Sequence, residues 1–333
     1  MLIWILKSGV YRNSQHRSMN IYYLCNMLSQ KETVLITGSG GMVAQALVGQ
    51  LIEEYEVRFL STHQRNNQTF HWDIDKHYID ERVFDSVRHI IHLAGANVMA
   101  KRWTSEYKAE IFASRVKSAD LLLEYLSKRK QNIQTFISAS AIGFYGDETS
   151  ERVFTEEDVK GEGFLSDVVL RWEQAADNFE KEAIASRVVK LRTGVVLSDK
   201  GGALKKMAAP IRFGLGAAAG SGKQYMPWIH IADLCAMYKF ALDSEKVSGV
   251  YNAVAPQKIN NKEFLGAIAQ TLHKPFWMPN VPSFLFKIAL GESAAVVLNG
   301  SHVSCEKIQH SGFDFQYQTL SNALINLFQR SPN

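Results

Sequence analysis

Short apolar runs alternate with amphipathic stretches over the first two thirds of the chain. The unbroken runs are rich in Val and Ile and predict buried strands at 34–37, 57–62, 88–95, 135–141 and 187–198. Apolar residues at spacings of three and four predict helices at 42–54, 105–129 and 164–183. Because strands and helices alternate, the pattern predicts an α/β protein with a doubly wound, Rossmann-like parallel sheet covered by helices on both faces.

The rhythm changes after about residue 200. A Gly-rich segment at 213–227 has no periodicity, and the remaining pattern predicts a short strand at 249–256 and helices at 230–242, 261–274 and 319–329. We therefore expect a nucleotide-binding domain over 32–255, with substrate-lobe elements from about 200. A small, mostly helical C-terminal domain would follow at 256–330. Small ligands usually bind in the cleft between two such parts.

Residues 1–31 are predicted to lie outside the fold. They contain Lys7, Arg12, Arg17 and Lys31 but no acidic residue, so they account for the net charge of +4 of the whole chain. The rest is balanced, which gives no basic face for nucleic acid. The apolar opening is too short to span a membrane. The leader is either an upstream start, with Met27 as the first residue of a cytoplasmic protein, or a mitochondrial presequence.

The three cysteines are far apart in the sequence. Cys25, Cys235 and Cys305 lack CxxC spacing and histidine partners. Their positions indicate a reducing compartment, and we expect no metal site.

A glycine-rich turn joins the first strand to the first helix in VLITGSGGMVAQAL. Gly38 would permit the tight turn, and Gly41 would let backbone N–H groups approach a pyrophosphate, with Ser39 and Met42 in the same loop. The small side chain of Ala44 would let helix and strand pack closely. The strand–turn–helix context favours dinucleotide binding over a plain glycine-rich turn.

The end of the second strand, LSTHQRNN, bears on the choice of cofactor. NAD sites usually place an acid there, whereas NADP sites place a cation that contacts the 2′-phosphate. Since His63 and Arg65 are present and no acid is, the sequence favours NADP, with NAD as the alternative. Asp73, after the third strand, would reach the adenine amine, or else is a surface acid.

Several longer strings resemble a known family. TGSGGMVA, IIHLAGA and FISASAIGFYGD resemble the extended short-chain dehydrogenases/reductases. GANVMAKRW, SRVKSADLLLE, LRTGVVLS and WIHIADL are similar to the branch called NAD-dependent epimerase/dehydratase, which carries a small C-terminal domain. The resemblance runs from Thr33 to about Phe328 and implies an NADP-dependent oxidoreductase or epimerase.

The resemblance also implies roles for single residues. Ala94 and Gly95 would skirt the adenine ribose and the pyrophosphate, and Thr193 would lie beside the nicotinamide. Ser140 would hydrogen-bond the substrate oxygen at which redox chemistry occurs. Tyr145 is near the tyrosine that usually follows this serine. It is our candidate for the proton donor, and the alternatives are that water donates the proton and that Tyr145 is a plain aromatic residue of the cleft wall.

The chain departs from the family pattern at the catalytic Tyr and Lys. Glu173 fits the position four residues after the lysine, which places Val169 at the lysine position and Leu165 at the tyrosine position. Both are aliphatic. Without a general acid, hydride transfer is slower by about 10²–10⁴-fold. A non-catalytic dinucleotide sensor or scaffold is therefore the alternative to an enzyme.

Substrate contacts are predicted from two segments. Lys101 and Arg102 follow a strand at the edge where α/β sheets bind ligands, and would read an anionic group on a small polar substrate. Tyr225 and Trp228 would line the substrate pocket, beside a glycine-rich loop that would act as a lid. The family habit implies a homodimer, and no feature favours a nucleic-acid or membrane partner.

Overall fold

The computed structural model describes residues 31–62 and 68–329. The strands are β1 (Glu32–Thr37), β2 (Tyr55–Ser61), β3 (Thr69–Asp73), β4 (Tyr78–Ile79), β5 (Val87–His92), β6 (Ile133–Ala141), β7 (Val153–Phe154), β8 (Ala185–Thr193), β9 (Val195–Leu197), β10 (Trp228–His230), β11 (Gly249–Ala253) and β12 (His302–Val303). The α-helices are α1 (Met42–Leu51), α2 (Ser105–Ala113), α3 (Val116–Lys128), α4 (Phe164–Lys181), α5 (Gly202–Arg212), α6 (Ile231–Asp243), α7 (Asn261–Thr271), α8 (Ser283–Leu290), α9 (Ala295–Leu298), α10 (Glu306–His310) and α11 (Leu320–Gln329).

Eight strands form the central sheet in the order β11-β8-β6-β5-β1-β2-β3-β4. All neighbours are parallel except β3 and β4, which pair antiparallel at one edge. The helices that join parallel strands cover the sheet, because parallel strands need crossover connections. The predicted α/β, Rossmann-like architecture is confirmed, with the small antiparallel edge strand as an addition.

The sheet is buried on both faces. In β6 the neighbours Phe136 and Ile137, both 0% exposed, belong to two different hydrophobic clusters. Successive side chains of a strand point to opposite faces, so the two clusters are the two packed layers. This explains why the strands are continuous apolar runs.

Two predicted elements are divided in the structure. The helix predicted at 105–129 is α2 and α3, with a break at Arg115, whose guanidinium donates to the carbonyl oxygens of Ile111 (3.0 Å) and Ala96 (3.0 Å). The strand predicted at 187–198 is β8 and β9, separated at Gly194. A Cβ on Gly194 would lie 2.6 Å from the Pro227 oxygen. Only glycine allows this approach, after which β9 pairs with β10.

The C-terminal segment is tied to the rest of the chain by short contacts. β12 pairs parallel with β7, and the carboxylate of Asp233 on α6 accepts the backbone N–H groups of Gln316 (2.9 Å) and Tyr317 (3.0 Å). Lys108 on α2 forms an ion pair with Glu292. None of the helices in 31–62 and 68–329 is both long and apolar enough to cross a membrane.

Candidate functional site

A cavity of about 270 Å³ opens where β1, β5, β6 and β8 end. Ligands bind at the carboxyl ends of parallel strands in this type of sheet. The lining residues come from the loop before α1, from the ends of β5, β6 and β8, and from β9 and α6. They are Gly41, Met42, Val43, Ala44, Leu93, Ala139, Ser140, Thr193, Val196, Leu234 and Tyr238.

The turn after β1 requires glycine at position 38. Gly38 has a φ of +75°, and a Cβ there would lie 3.0 Å from the carbonyl oxygen of Leu93 and 3.1 Å from Cα of Ala94. Its N–H donates to the oxygen of Leu60 (3.2 Å), and its own oxygen accepts from the N–H of Gly41 (2.9 Å). The loop therefore packs against the ends of two neighbouring strands.

The N-terminus of α1 is suited to an anion. Gly41 is its N-cap residue, with no side-chain cap, and the first turn holds no acidic residue. The hydroxyl of Ser39 is buried and has no hydrogen-bond partner among the described residues. Unsatisfied N–H groups at a helix N-terminus bind phosphate groups. The uncapped helix and the unpartnered hydroxyl fit a dinucleotide pyrophosphate.

Thr37 at the end of β1 fixes the chain after β5. Its Oγ1 accepts the N–H groups of Leu93 (3.0 Å) and Ala94 (3.0 Å) and lies 3.0 Å from Nδ1 of His92. Complete burial lowers the pKa of His92 to about 4. Gly95 is exposed, next to the Arg115 guanidinium. The hydrogen bonds to Thr37 thus fix the chain at Leu93 and Ala94, which is the segment expected to lie along the cofactor.

Ser140 belongs to a buried network of hydrogen bonds. It lines the cavity, is 3% exposed, and its hydroxyl lies 2.6 Å from Oε1 of Glu173 on α4. The Arg192 guanidinium on β8 contacts both carboxylate oxygens, with Nε 2.8 Å from Oε1 and Nη2 2.8 Å from Oε2. Burial lowers the pKa of Arg192, but the hydrogen bonds and charge of Glu173 outweigh it, so the net pKa is raised.

Tyr145 extends this network away from the cavity. It is 2% exposed, its hydroxyl donates to Oδ1 of Asn252 (2.7 Å), and it accepts from Nη1 of Arg192 (3.1 Å). Burial, partly offset by Arg192, raises the pKa of Tyr145 to about 12. The Nδ2 of Asn252 donates to the oxygen of Ser304 (3.0 Å), which fixes Oδ1 as the acceptor. The phenol proton is therefore used inside the network, and Tyr145 is not among the cavity-lining residues.

The helix α4 carries Leu165 and Val169, the two aliphatic residues that are predicted to stand at the positions of the family's Tyr and Lys. Val169 is 3% exposed in the main hydrophobic cluster, one turn before Glu173. Leu165 is partly buried and lies near Gly143. A Cβ added to Gly143 would lie 3.4 Å from the Cβ of Leu165. Both are apolar packing residues, and Glu173 is the polar group of this helix that reaches Ser140.

The predicted substrate-binding cations lie outside the cavity. Lys101 is exposed, 3.8 Å from Glu110 and 5.2 Å above the ring of Tyr107. Arg102 lies against Gly291 of the C-terminal segment, where a Cβ would be 3.3 Å from its Nε. Neither is among the cavity-lining residues, so an anion that they bind would have to extend to the rim.

The two predicted aromatic contacts are also separate from the cavity. Trp228 is 0% exposed in the core, and its carbonyl oxygen accepts from Ala255 (2.6 Å). Tyr225 donates its hydroxyl proton to Glu151 (2.6 Å), and the ammonium of Lys258 lies 4.6 Å from the centre of its ring. Trp228 is thus placed as a packing residue, and Tyr225 is part of a surface cluster.

The residues proposed to choose between cofactors are only partly described. His63 and Arg65 lie outside the described residues. Asp73 is the last residue of β3 rather than following it, and it binds the ammonium of Lys76 at 3.0 Å. The hydrogen bonds from Lys76 lower the pKa of Asp73. Its adenine contact stays a prediction.

The cavity brings together Gly41, Met42, Ser140 and Thr193 from the predicted set. The sequence interpretation missed Arg192, although a signal exists. In KLR (190–192) of the buried strand β8, two basic residues flank a leucine and therefore share one face, and Ser140 and Arg192 are register partners. Charges that face a covering helix need acids, and α4 supplies one to each: Glu173 pairs with Arg192, as Asp177 does with Lys190. Across 31–62 and 68–329, no group of three or more His, Cys, Asp and Glu could hold a metal ion.

Comparisons with known proteins agree with this geometry. Residues 34–253 match the family model described as the NAD dependent epimerase/dehydratase family, and residues 281–327 match a domain of unknown function, DUF1731. The epimerase family protein YfhF of Bacillus subtilis is 34% identical over 301 residues, 88% of this chain and 97% of that protein.

Two solved structures are also similar. The human epimerase family protein SDR39U1, isoform 2, solved with NADPH, has a TM-score of 0.80 and 28% identity over 90% of this chain and 100% of that chain. A nucleoside-diphosphate sugar epimerase from Corynebacterium glutamicum has a TM-score of 0.72 and 28% identity over 93% of this chain and 61% of that one.

Proposed function

The chain belongs to the NAD dependent epimerase/dehydratase family, and from this premise we propose that it is an NADP(H)-dependent oxidoreductase or epimerase acting on a small polar substrate. One observation carries the proposal. The phosphate loop before α1 and the hydroxyl of Ser140 border the same cavity at the carboxyl edge of the sheet. A redox enzyme needs its cofactor and its substrate-orienting group in one space.

The residues that would hold the cofactor are those of the phosphate loop and the strand ends. Ser39, Gly41 and Met42 would surround the pyrophosphate at the N-terminus of α1, and Ala94 and Thr193 would border the ribose and the nicotinamide. A bound nicotinamide supplies a hydride acceptor or donor. The 28% identical human relative was solved with NADPH, and Arg65 in this sequence supports the same preference.

A second function is favoured by the hydrogen bond of Tyr145, which uses its proton within a buried network. It also rests on our prediction that the aliphatic Leu165 and Val169 stand at the positions of the usual Tyr and Lys. A protein with these features would bind the dinucleotide and act as a redox sensor or scaffold without turnover.

Cofactor titration and a substrate panel separate the two functions. NADPH binding is measured by its fluorescence, and paired alcohols and carbonyl compounds are then tested for NADP⁺ reduction or NADPH oxidation. We expect micromolar-range binding or tighter, and turnover that Ser140→Ala reduces at least about tenfold at unchanged NADPH affinity. No NADPH binding contradicts both functions, whereas binding without turnover of any compound favours the sensor.

The preference for NADP has its own variant. We expect Arg65→Ala to weaken NADPH binding about tenfold and to leave NADH binding unchanged, because only NADPH carries the 2′-phosphate. Equal loss for both cofactors would contradict a contact with this phosphate.

A further inference from the structure

The hydroxyl proton of Ser140 has a fixed direction. Glu173 accepts from Arg192 on both oxygens and also from Ser140 on Oε1. An ionised carboxylate only accepts hydrogen bonds, so the proton of Ser140 must point at Glu173. A neutral acid would instead leave a buried guanidinium without its counter-ion, which is strongly unfavourable.

The hydroxyl of Tyr145, which belongs to the same network through Arg192, has no free proton either. Tyr145 donates to Asn252, whose amide orientation is set by its bond to the Ser304 oxygen. Arg192 uses Nε and Nη2 on Glu173 and Nη1 on Tyr145, and its guanidinium stacks 3.4 Å from the ring centre of Phe144. Each hydrogen bond in this network therefore has a defined donor and a defined acceptor.

We propose that Glu173, held by Arg192, fixes Ser140 as a hydrogen-bond acceptor towards the cavity, so that the site selects a ligand hydroxyl group and disfavours a carbonyl group. A serine oxygen with its proton committed keeps lone pairs that accept. A ligand alcohol donates to them, whereas a ligand ketone would bring a second acceptor against the first. Glu173 is a positioning residue here, since it acts through Ser140.

This inference rests on the proposed function for its cavity, and it goes further by assigning to Glu173 the task of positioning Ser140. It also explains which group of α4 binds the buried Ser140: residues 165 and 169 of this helix are aliphatic, and Glu173 provides the hydrogen-bond acceptor. The recognition of one group by one acceptor is worth about tenfold in affinity.

A matched pair of probes tests the direction of this hydrogen bond. Cyclohexanol and cyclohexanone are titrated into the full chain, with and without saturating NADP⁺, and their affinities are measured by saturation-transfer NMR. We expect the wild-type protein to bind cyclohexanol about tenfold more tightly than cyclohexanone. Ser140→Ala should bind the two probes equally.

Variants on α4 separate positioning from folding. In Glu173→Gln, one amide oxygen replaces the two oxygens that accept from Ser140 and Arg192, so Ser140 is no longer held in one direction and the preference for cyclohexanol should fall towards equal affinities. Glu180→Gln, an exposed change on the same helix, should keep the wild-type preference. A purely structural role for Glu173 would weaken the binding of both probes together and leave the ratio of their affinities unchanged. If Glu173→Gln does not fold, Glu173→Asp takes its place: it keeps a negative charge for Arg192 but shortens the side chain that reaches Ser140, so the preference for cyclohexanol should fall in the same direction.

Three results would overturn the inference: equal affinities or a ketone preference in the wild type, a preference that survives Ser140→Ala, or no binding of either probe. Failure of the proposed function can be distinguished from failure of this inference. It would show as no NADPH binding or no turnover, while the alcohol preference, measured by binding alone, persists.

Discussion

The turn at Gly38 offers the sharpest test of how the cofactor loop is built. In Gly38→Ala the new Cβ would lie 3.0 Å from the Leu93 oxygen and 3.1 Å from Cα of Ala94, both backbone atoms. The φ of +75° costs an L-residue about 1–2 kcal/mol by itself. The reduced entropy of the unfolded chain returns about 0.4–1 kcal/mol, so the contact with two backbone atoms decides the balance. We expect a net loss of about 1–3 kcal/mol.

Gly49 in the same segment is the matched control. It lies within α1, is exposed, and a Cβ there would meet nothing within 4 Å. Gly49→Ala should therefore stabilise the protein by about 0.5–1 kcal/mol. Urea unfolding measures both free energies, and NADPH fluorescence measures affinity. We expect Gly38→Ala to weaken NADPH binding at least about tenfold, because it displaces the loop that holds the pyrophosphate.

The opposite signs of the two alanine variants are the essential result. If Gly38→Ala unfolds at the same urea concentration as the wild type and binds NADPH equally well, the close approach of the loop to β5 does not exist as described. If both variants lose the same stability, the effect belongs to the helix and not to the turn.

The remaining predictions concern buried charge. Arg192→Met leaves Glu173 without its partner and should reduce the free energy of unfolding by about 3–5 kcal/mol. Lys128→Met, which removes an exposed ion pair within one helix, should leave the urea midpoint unchanged. A loss below about 1 kcal/mol for Arg192→Met would contradict a buried ion pair. Burial lowers the pKa of His92 to about 4, below its usual 6.5, so the folded state resists protonation and loses about 3 kcal/mol as the pH falls from 6.5 to 4. Urea titrations from pH 7 to 4 should show a flatter dependence in His92→Asn, and an unchanged slope would contradict this origin.

The fold was predictable because burial on both faces leaves a plain pattern. Continuous apolar strands alternating with amphipathic helices permit few arrangements other than a parallel, covered sheet. The two divided elements were not predictable, since their breaks depend on distant partners. The chain at Gly194 passes close to the Pro227 oxygen, and the Arg115 guanidinium donates to the Ala96 oxygen after β5. Hydrophobic periodicity does not reveal either contact.

The cavity was predictable in the same measure. Gly41 lies in the turn after β1, and Ser140 and Thr193 lie at the carboxyl ends of β6 and β8. The carboxyl edge of a parallel sheet gathers such residues. The positions of Lys101 and Trp228 were harder to predict. A lysine in an exposed loop and a tryptophan in the core are the same residue types that line pockets. Their surroundings, and not their types, place them outside the lining.

The direction of a hydrogen bond is further removed from the sequence than the position of a residue. A tyrosine near Ser140 predicts a proton donor, yet Tyr145 donates to Asn252, more than a hundred positions along the chain, and receives from Arg192. The acceptor character of Ser140 likewise depends on Glu173, which comes from a helix. Three elements must meet before either direction is set. Within this network neither Ser140 nor Tyr145 has a proton to offer the cavity, and on our proposal the group that donates to Ser140 belongs to the ligand.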